Sequence, residues 1–162
     1  MKTKQRALFI SITIILTIII DQVSKIVVRK EIIPGSRSSI IGEVFTLHNV
    51  ENTGAFLGMG SDLNPTLKLI LLLILPVIVL AFVLRYTFKD KTLDKWSIFA
   101  FSSIIGGGIA NVYDRFAYGS VTDFLHLDFG GPLRTGIFNS ADMSVSLGMI
   151  ILVVASLKAK KK

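Results

Sequence analysis

Residues 7–28 read ALFISITIILTIIIDQVSKIVV. From 7 to 20 the stretch carries no charge. A hydrocarbon core of about 30 Å takes roughly 20 such residues, so the block predicts a membrane span. Three more blocks follow, at about 66–84, 96–116 and 137–157. Pro76 lies inside the second and predicts a kink that neighbouring helices tolerate. The first block is too long for a secretory signal, and no small-residue cleavage site follows it, so it reads as a retained helix. Working outward from these blocks, the chain is expected to be a mainly α membrane protein. Residues 1–162 would form a single integral membrane domain with four spans.

Composition fits that class. Of 162 residues, 51% are hydrophobic, too many in too few blocks for an ordinary soluble core. There is no cysteine, so neither a disulfide framework nor a thiolate site is available. With only two histidines, His48 and His126, no metal site is expected. The net charge of +7 invites a nucleic-acid partner, but the basic residues sit in short segments beside apolar blocks. That placement orients membrane proteins, so no nucleic acid is expected.

Lys2, Lys4 and Arg6 precede the first span, Arg85, Lys89, Lys91 and Lys95 join the second to the third, and Lys158, Lys160, Lys161 and Lys162 close the chain. With four spans these segments share one side, and the positive-inside tendency makes it the cytoplasm. Both termini are then cytoplasmic, and the segments at about 29–65 and 117–136 form outer caps. Within them, 40–50 reads as one or two strands, and 121–127 reads as another, ended by Gly130-Gly131-Pro132. Residues 54–60 suit a short interfacial helix or loop.

A charge deep in a spanning helix costs about 2.5–3.5 kcal/mol on insertion scales, so each one needs a reason. Asp21, Gln22 and Lys25 lie near the outer end of the first span, and Asn111, Asp114 and Arg115 near that of the third. Asn139 and Asp142 lie at the outer start of the fourth. Three helices thus carry polar groups at one depth, beside the cap that holds Asp123. Asp21 and Lys25, four apart, read first as a structural ion pair. Asp114 with Arg115 serves either an inter-helix network or the holding of substrate backbone, and Asn111 and Asn139 are open to both roles as well. Gly106-Gly107-Gly108 reads as a packing surface. Asp142, with no basic residue within a turn, either caps its helix or does chemistry. Asp123 interrupts an apolar strand, either as an edge charge or as a catalytic group. Asp128, before Phe129-Gly130-Gly131, reads as a turn residue.

Two neighbouring carboxylates share a proton, because both cannot ionise easily. The ionised member can take a proton from water as it attacks a carbonyl, and the protonated member can polarise that carbonyl and later protonate the leaving amine. Such chemistry needs no cofactor, and none is expected. A phosphoryl-transfer site would want a glycine-rich cradle with its lysine, which is missing from the sequence.

Five blocks, in order, carry a resemblance: Asp21-Gln22-Val23-Ser24-Lys25, Asn52-Thr53-Gly54-Ala55-Phe56, Gly107 through Asn111-Val112-Tyr113-Asp114-Arg115, Val121-Thr122-Asp123-Phe124 and Phe138-Asn139-Ser140-Ala141-Asp142. Their order and spacing resemble those of the bacterial lipoprotein signal peptidases (signal peptidase II) over essentially the whole chain. The resemblance implies an aspartyl endopeptidase that removes the signal peptide of prolipoproteins just before a diacylglyceryl-modified cysteine. It implies Asp123 and Asp142 as the catalytic pair. It also implies that Asp21, Lys25, Asn52, Gly54, Ala55, Gly107, Asn111, Asp114, Arg115, Asn139 and Ala141 shape the site or bind substrate. The implied fold is a four-transmembrane-helix bundle with a small extracytoplasmic β-sheet cradle and a short interfacial helix. The implied setting is the bacterial cytoplasmic (inner) membrane, with the site at its outer face. The expected partners are lipid-modified prolipoproteins and membrane lipids, met by a monomer. Two positions depart from the pattern: Phe56 directly follows Gly54-Ala55, and Met143 follows Asp142, where relatives often carry small residues.

Two other functions compete. A proton-coupled transporter or small channel would use Asp21, Asp114 and Asp142 as a relay, but it would want polar residues in the second span, which is apolar from Leu69 to Leu84. A non-catalytic assembly factor would tolerate replacement of both Asp123 and Asp142.

Overall fold

The computed structural model describes residues 3–55 and 58–159. Four long helices, α1 (Thr3–Glu31), α2 (Pro65–Lys89), α3 (Lys95–Tyr118) and α4 (Ser140–Ala159), are each long and apolar enough to cross a membrane. Three strands, β1 (Arg37–Ile41), β2 (Phe45–Asn52) and β3 (Val121–Leu127), form an antiparallel sheet in that order at one end of the bundle. The fold is therefore the expected one, mainly helical with a small sheet, and the protein is a multi-pass membrane protein. Lys2 and the last three lysines lie outside the described residues.

The helices depart from the expected spans at their ends. α1 runs past 7–28 in both directions because its charged flanks find partners. Arg6 donates from Nη2 to the Thr87 and Asp90 carbonyls, closing the C-terminal end of α2. α4 starts at Ser140 rather than near 137, because Phe138 pairs with β3 instead. α2 is the other departure. Residues Leu69–Ile74 form a π-helical turn, and the regular helix Leu75–Lys89 begins with Pro76 in its first turn. The wider turn just before Pro76 departs from the regular α-helical bonding where the proline ring would otherwise clash with the preceding turn.

α3 is the central helix, and its three glycines explain why. A Cβ on Gly106 would lie 2.7 Å from Thr17 Cβ of α1. On Gly107 it would lie 2.5 Å from the Ala141 carbonyl oxygen of α4, and on Gly108 2.6 Å from Leu80 Cδ2 of α2. Successive helical residues point about 100° apart, so each glycine lets a different helix approach. Gly148 of α4 returns the favour beneath Ala100 O, at 2.6 Å. Outward-facing Ile15, Ile78, Phe82, Val153 and Leu157 are all more than half exposed, as a lipid-facing belt requires.

The sheet is tied down by a bulge. Leu47 pairs with Leu125 and Val50 with Asp123, so β2 spends one residue more than β3 between the two pairs. Within it, Asn49 donates to the Ile32 carbonyl at 2.7 Å and caps the end of α1. After β3 the chain turns through Gly130 and Gly131, both at positive φ, with Asp128 accepting from Gly130 N as a turn residue does. It then returns, and Phe138 pairs with Leu125. The interfacial helix or loop expected at 54–60 falls partly on Phe56 and Leu57, outside the described residues. The described neighbours form turns closed by Ala55 N to Met59 O and Gly58 N to Ala55 O.

Candidate active site

The site begins with the return of the chain to β3. Phe138 exchanges hydrogen bonds with Leu125, and its carbonyl also accepts from Phe124 N. This pairing carries Asn139 and the start of α4 alongside Asp123, which stands in the middle of β3. Asn139 is the N-cap of α4. Its Oδ1 accepts from Asp142 N at 2.9 Å, and Asp142 Oδ2 accepts from Asn139 N at 3.2 Å, a reciprocal capping box. The capping reading of Asp142 therefore holds for one oxygen, and the other accepts from Asn111 Nδ2 at 3.0 Å.

Asn139 also reaches the other carboxylate. Its Nδ2 donates to Asp123 Oδ1 at 2.7 Å, while Asn52 Nδ2 donates to Asp123 Oδ2 at 2.9 Å. One fully buried amide therefore touches Asp123 with its side chain and Asp142 with its peptide group. Asp123 is only 4% exposed, so it is no edge-strand charge in water. Burial drives its pKa up to about 6; the Asn52 and Asn139 hydrogen bonds oppose the rise, and the Asp142 charge adds to it.

Around this pair the predicted residues fall into two shells of contact. Asn52 is held by its own turn, with Gly54 N donating to its Oδ1 and its Nδ2 also reaching Ala55 O. A Cβ on Gly54 would lie 2.6 Å from the Gly58 and Met59 carbonyl oxygens, so only glycine fits there. Arg115 donates from Nη2 to Gly54 O at 2.8 Å, tying α3 to that turn. The second group is a buried ion cluster. Lys25, with no exposed side-chain surface, sits 2.6 Å from Asp21 and 2.7 Å from Asp114. Asp21 Oδ1 accepts from Ala141 N at 2.8 Å, so it too steadies the first turn of α4. Gly107 packs against the Ala141 carbonyl, as described above.

All thirteen predicted residues gather at the sheet end of the bundle, with one regrouping. Asp114 and Arg115 do not act together: Asp114 joins the ion cluster and Arg115 turns to the 52–55 loop. Neighbours in a helix point about 100° apart, which separates them. Three members were not singled out in the sequence. Arg29 is one turn beyond Lys25 and lies 3.3 Å from Asp114; it donates from Nε to Thr122 Oγ1 at 2.6 Å and stacks on Tyr118. Thr122 in turn donates to Glu51 at 2.7 Å. The spacing Asp21, Lys25, Arg29 was a legible signal for Arg29; nothing local marks Glu51 or Thr122.

Two clefts flank the pair. One of about 570 Å³ runs along α4 past Asp142, walled by Leu127, Phe138, Met143, Leu147 and Ile150. A smaller one of about 280 Å³ lies against Asp123, between Asn52, Ser61 and Ile137. Gly136 lines both. Among the described residues no three His, Asp or Glu side chains converge as a metal site would require. The arrangement offers two neighbouring carboxyl groups, one of them raised by burial above the usual carboxylate range, with a cleft beside each.

The chain is similar to known proteins in sequence and in fold. The family profile described as Signal peptidase (SPase) II matches residues 13–158. The lipoprotein signal peptidase of Borrelia duttonii (strain Ly) is 37% identical over 160 residues, covering 96% of this chain and 91% of that protein. That of Clostridium tetani (strain Massachusetts / E88) is 33% identical over 147 residues, covering 91% of each. Among solved structures, a bacterial membrane enzyme determined by the in meso method superposes with a TM-score of 0.82 at 26% identity, over 93% of this chain and 88% of that one.

Proposed function

The chain belongs to the signal peptidase II family of membrane proteases, and from that membership we propose that it cleaves prolipoproteins before a diacylglyceryl-modified cysteine, with Asp123 and Asp142 activating one water. The observation that carries the proposal is Asn139, whose side chain and peptide group contact the two carboxylates in turn. The ionised carboxylate takes a proton from water as its oxygen attacks the scissile carbonyl carbon. The protonated one gives its proton to the carbonyl oxygen, forming a neutral gem-diol. As the C–N bond breaks, the leaving nitrogen takes a proton from the pair, and the gem-diol returns one. The products are a signal-peptide carboxylic acid and a free amine on the cysteine, with the pair back in its starting protonation state. Burial strengthens every one of these charge interactions relative to water.

The clefts suit such a substrate. The apolar groove along α4 fits a lipid chain that stays in the membrane, and the groove at Asp123 fits the peptide. Arg6, Arg85, Lys89, Lys91, Lys95 and Lys158 lie toward the end opposite the sheet, which supports cytoplasmic termini in a bacterial inner membrane and a site at its outer face. One chain supplies every residue of the site, so a monomer suffices. Asp21, Lys25, Asn52, Gly54, Ala55, Gly107, Asn111, Asp114, Arg115, Asn139 and Ala141 hold the pair and the substrate in place. A proton relay fits less well, because Asp21 and Asp114 are matched by Lys25 and Arg29 rather than spread along a path.

Purified protein incubated with a synthetic lipidated precursor tests the proposal. Wild type is expected to release the signal peptide, and Asp123→Asn or Asp142→Asn to release none while still inserting and folding. Cleavage by either variant at a wild-type rate overturns the pair.

A further inference from the structure

Lys25 touches neither Asp123 nor Asp142, yet its third contact aims at the site. Besides Asp21 and Asp114, its Nζ donates to Asn111 Oδ1 at 2.8 Å. An ammonium has three donors and no acceptor, so only the oxygen of Asn111 can face it. The NH2 of that amide must then point the other way, and it lies 3.0 Å from Asp142 Oδ1. We propose that Lys25 is a positioning residue of the reaction, which fixes the orientation of Asn111 and so presents an N–H donor, not a carbonyl oxygen, to Asp142. This rests on the function proposed above.

An amide is nearly symmetric in shape, so packing alone distinguishes its two orientations poorly. Turned around, Asn111 would set its oxygen against the Asp142 carboxylate and its NH2 against Lys25. Asn139 Nδ2 approaches the same Asn111 oxygen at 3.2 Å, but it is shared with Asp123 and is the longer contact. Lys25 is the charged member and the nearer one. The groups around it hold its Nζ in place. Asp21 and Asp114 each lie within ion-pair distance, Arg29 takes the other oxygen of Asp114, and Gln22 Nε2 donates to that oxygen at 3.0 Å. A purely structural lysine would need only its two aspartates; the contact to Asn111 joins this cluster to the reacting group.

Removing Lys25 alone strands a buried Asp21, so the test is charge-balanced. Lys25→Met with Asp21→Asn is compared with Lys25→Gln with Asp21→Asn. Met and Gln are close in length and shape, and both pairs are neutral as the native pair is; only Gln offers an N–H to Asn111. The Gln pair is expected to exceed the Met pair in kcat by about tenfold to hundredfold, with similar KM and melting temperature. Equal kcat values, or a difference confined to KM, overturn the role. Should a pair fail to fold, Asn111→Asp decides. It keeps a partner for Lys25 but turns an acceptor toward Asp142, and kcat is expected to fall at least about a hundredfold, with melting measured on the same preparation. A kcat within tenfold of wild type overturns the role. Wild type and Asp142→Asn run alongside: no cleavage by the first, or full cleavage by the second, overturns the proposed function itself and this role with it.

Discussion

Asn139 connects two acidic side chains that belong to different elements. Its oxygen caps α4 and its NH2 holds Asp123, and the two tasks separate by substitution. Asn139→Ser keeps a good cap and loses the amide donor. It is expected to melt within about 1 kcal/mol of wild type and to lose most of its cleavage activity; thermal unfolding in detergent and a precursor assay check both. Asp123 adds a pH dependence. Its pKa is raised from 3.8 unfolded to about 6 folded, so folding favours its protonated form. Its contribution to stability is full below pH 3.8 and is lost as pH rises through about 6. The melting temperature of wild type should therefore fall across that window relative to Asp123→Asn, whose side chain does not titrate. Parallel slopes for the two proteins contradict the assignment. At this scale the sequence marked the carboxylates and amides by their improbable depth in apolar segments. It did not separate Asp114 from Arg115, because helical spacing places residues on a face without saying which neighbour each one reaches. Glu51 and Thr122 carry no local mark at all, since strand pairing sets them side by side and Arg29 reaches Thr122 from α1.

Elements position the site by close approach. β3 and the 136–139 segment bring Asp123 to α4, and Gly107 lets α4 lie against α3 where Asp142 begins. Gly107→Ala would put a methyl 2.5 Å from Ala141 O, a backbone atom that cannot rotate away. We expect a loss of about 1–3 kcal/mol from overpacking and a larger fall in cleavage than the same loss would give elsewhere. Asp94→Ala supplies the comparison. Asp94 caps α3 at the far end, accepting from Ser97 N at 2.7 Å, and that bond holds its carboxyl below the usual range. Its replacement should cost about 1 kcal/mol and leave kcat untouched, as melting and turnover measured on the same preparation would show. β2 and β3 were legible from β-branched composition and the triple glycine from residue size, whereas β1 begins at Arg37, ahead of the expected 40–50. The π-turn before Pro76 was not: proline predicts a disturbed helix, but whether it bends or widens depends on the packing of its neighbours.

For the whole molecule, four apolar blocks and clustered lysines made the membrane class and the bundle legible from the sequence, because the bilayer imposes length and the positive-inside tendency imposes orientation. The chain has no cysteine, so single cysteines report sidedness cleanly. In intact cells an impermeant maleimide should label Ser36→Cys, beside the sheet, and spare Lys91→Cys, in the loop between α2 and α3; the reverse pattern would put the site on the cytoplasmic side. What the sequence left undetermined was how the two aspartates meet, since a strand, a returning loop and a helix start converge only in three dimensions. The most direct test is the turnover of a lipidated precursor by Asp123→Asn, Asp142→Asn and the double variant. If the carboxyl groups act as one unit on one water, each single substitution should lower kcat by about a thousandfold or more, and the double should fall little further. Losses that multiply in the double variant, or a single variant that keeps a tenth or more of the native rate, would contradict it.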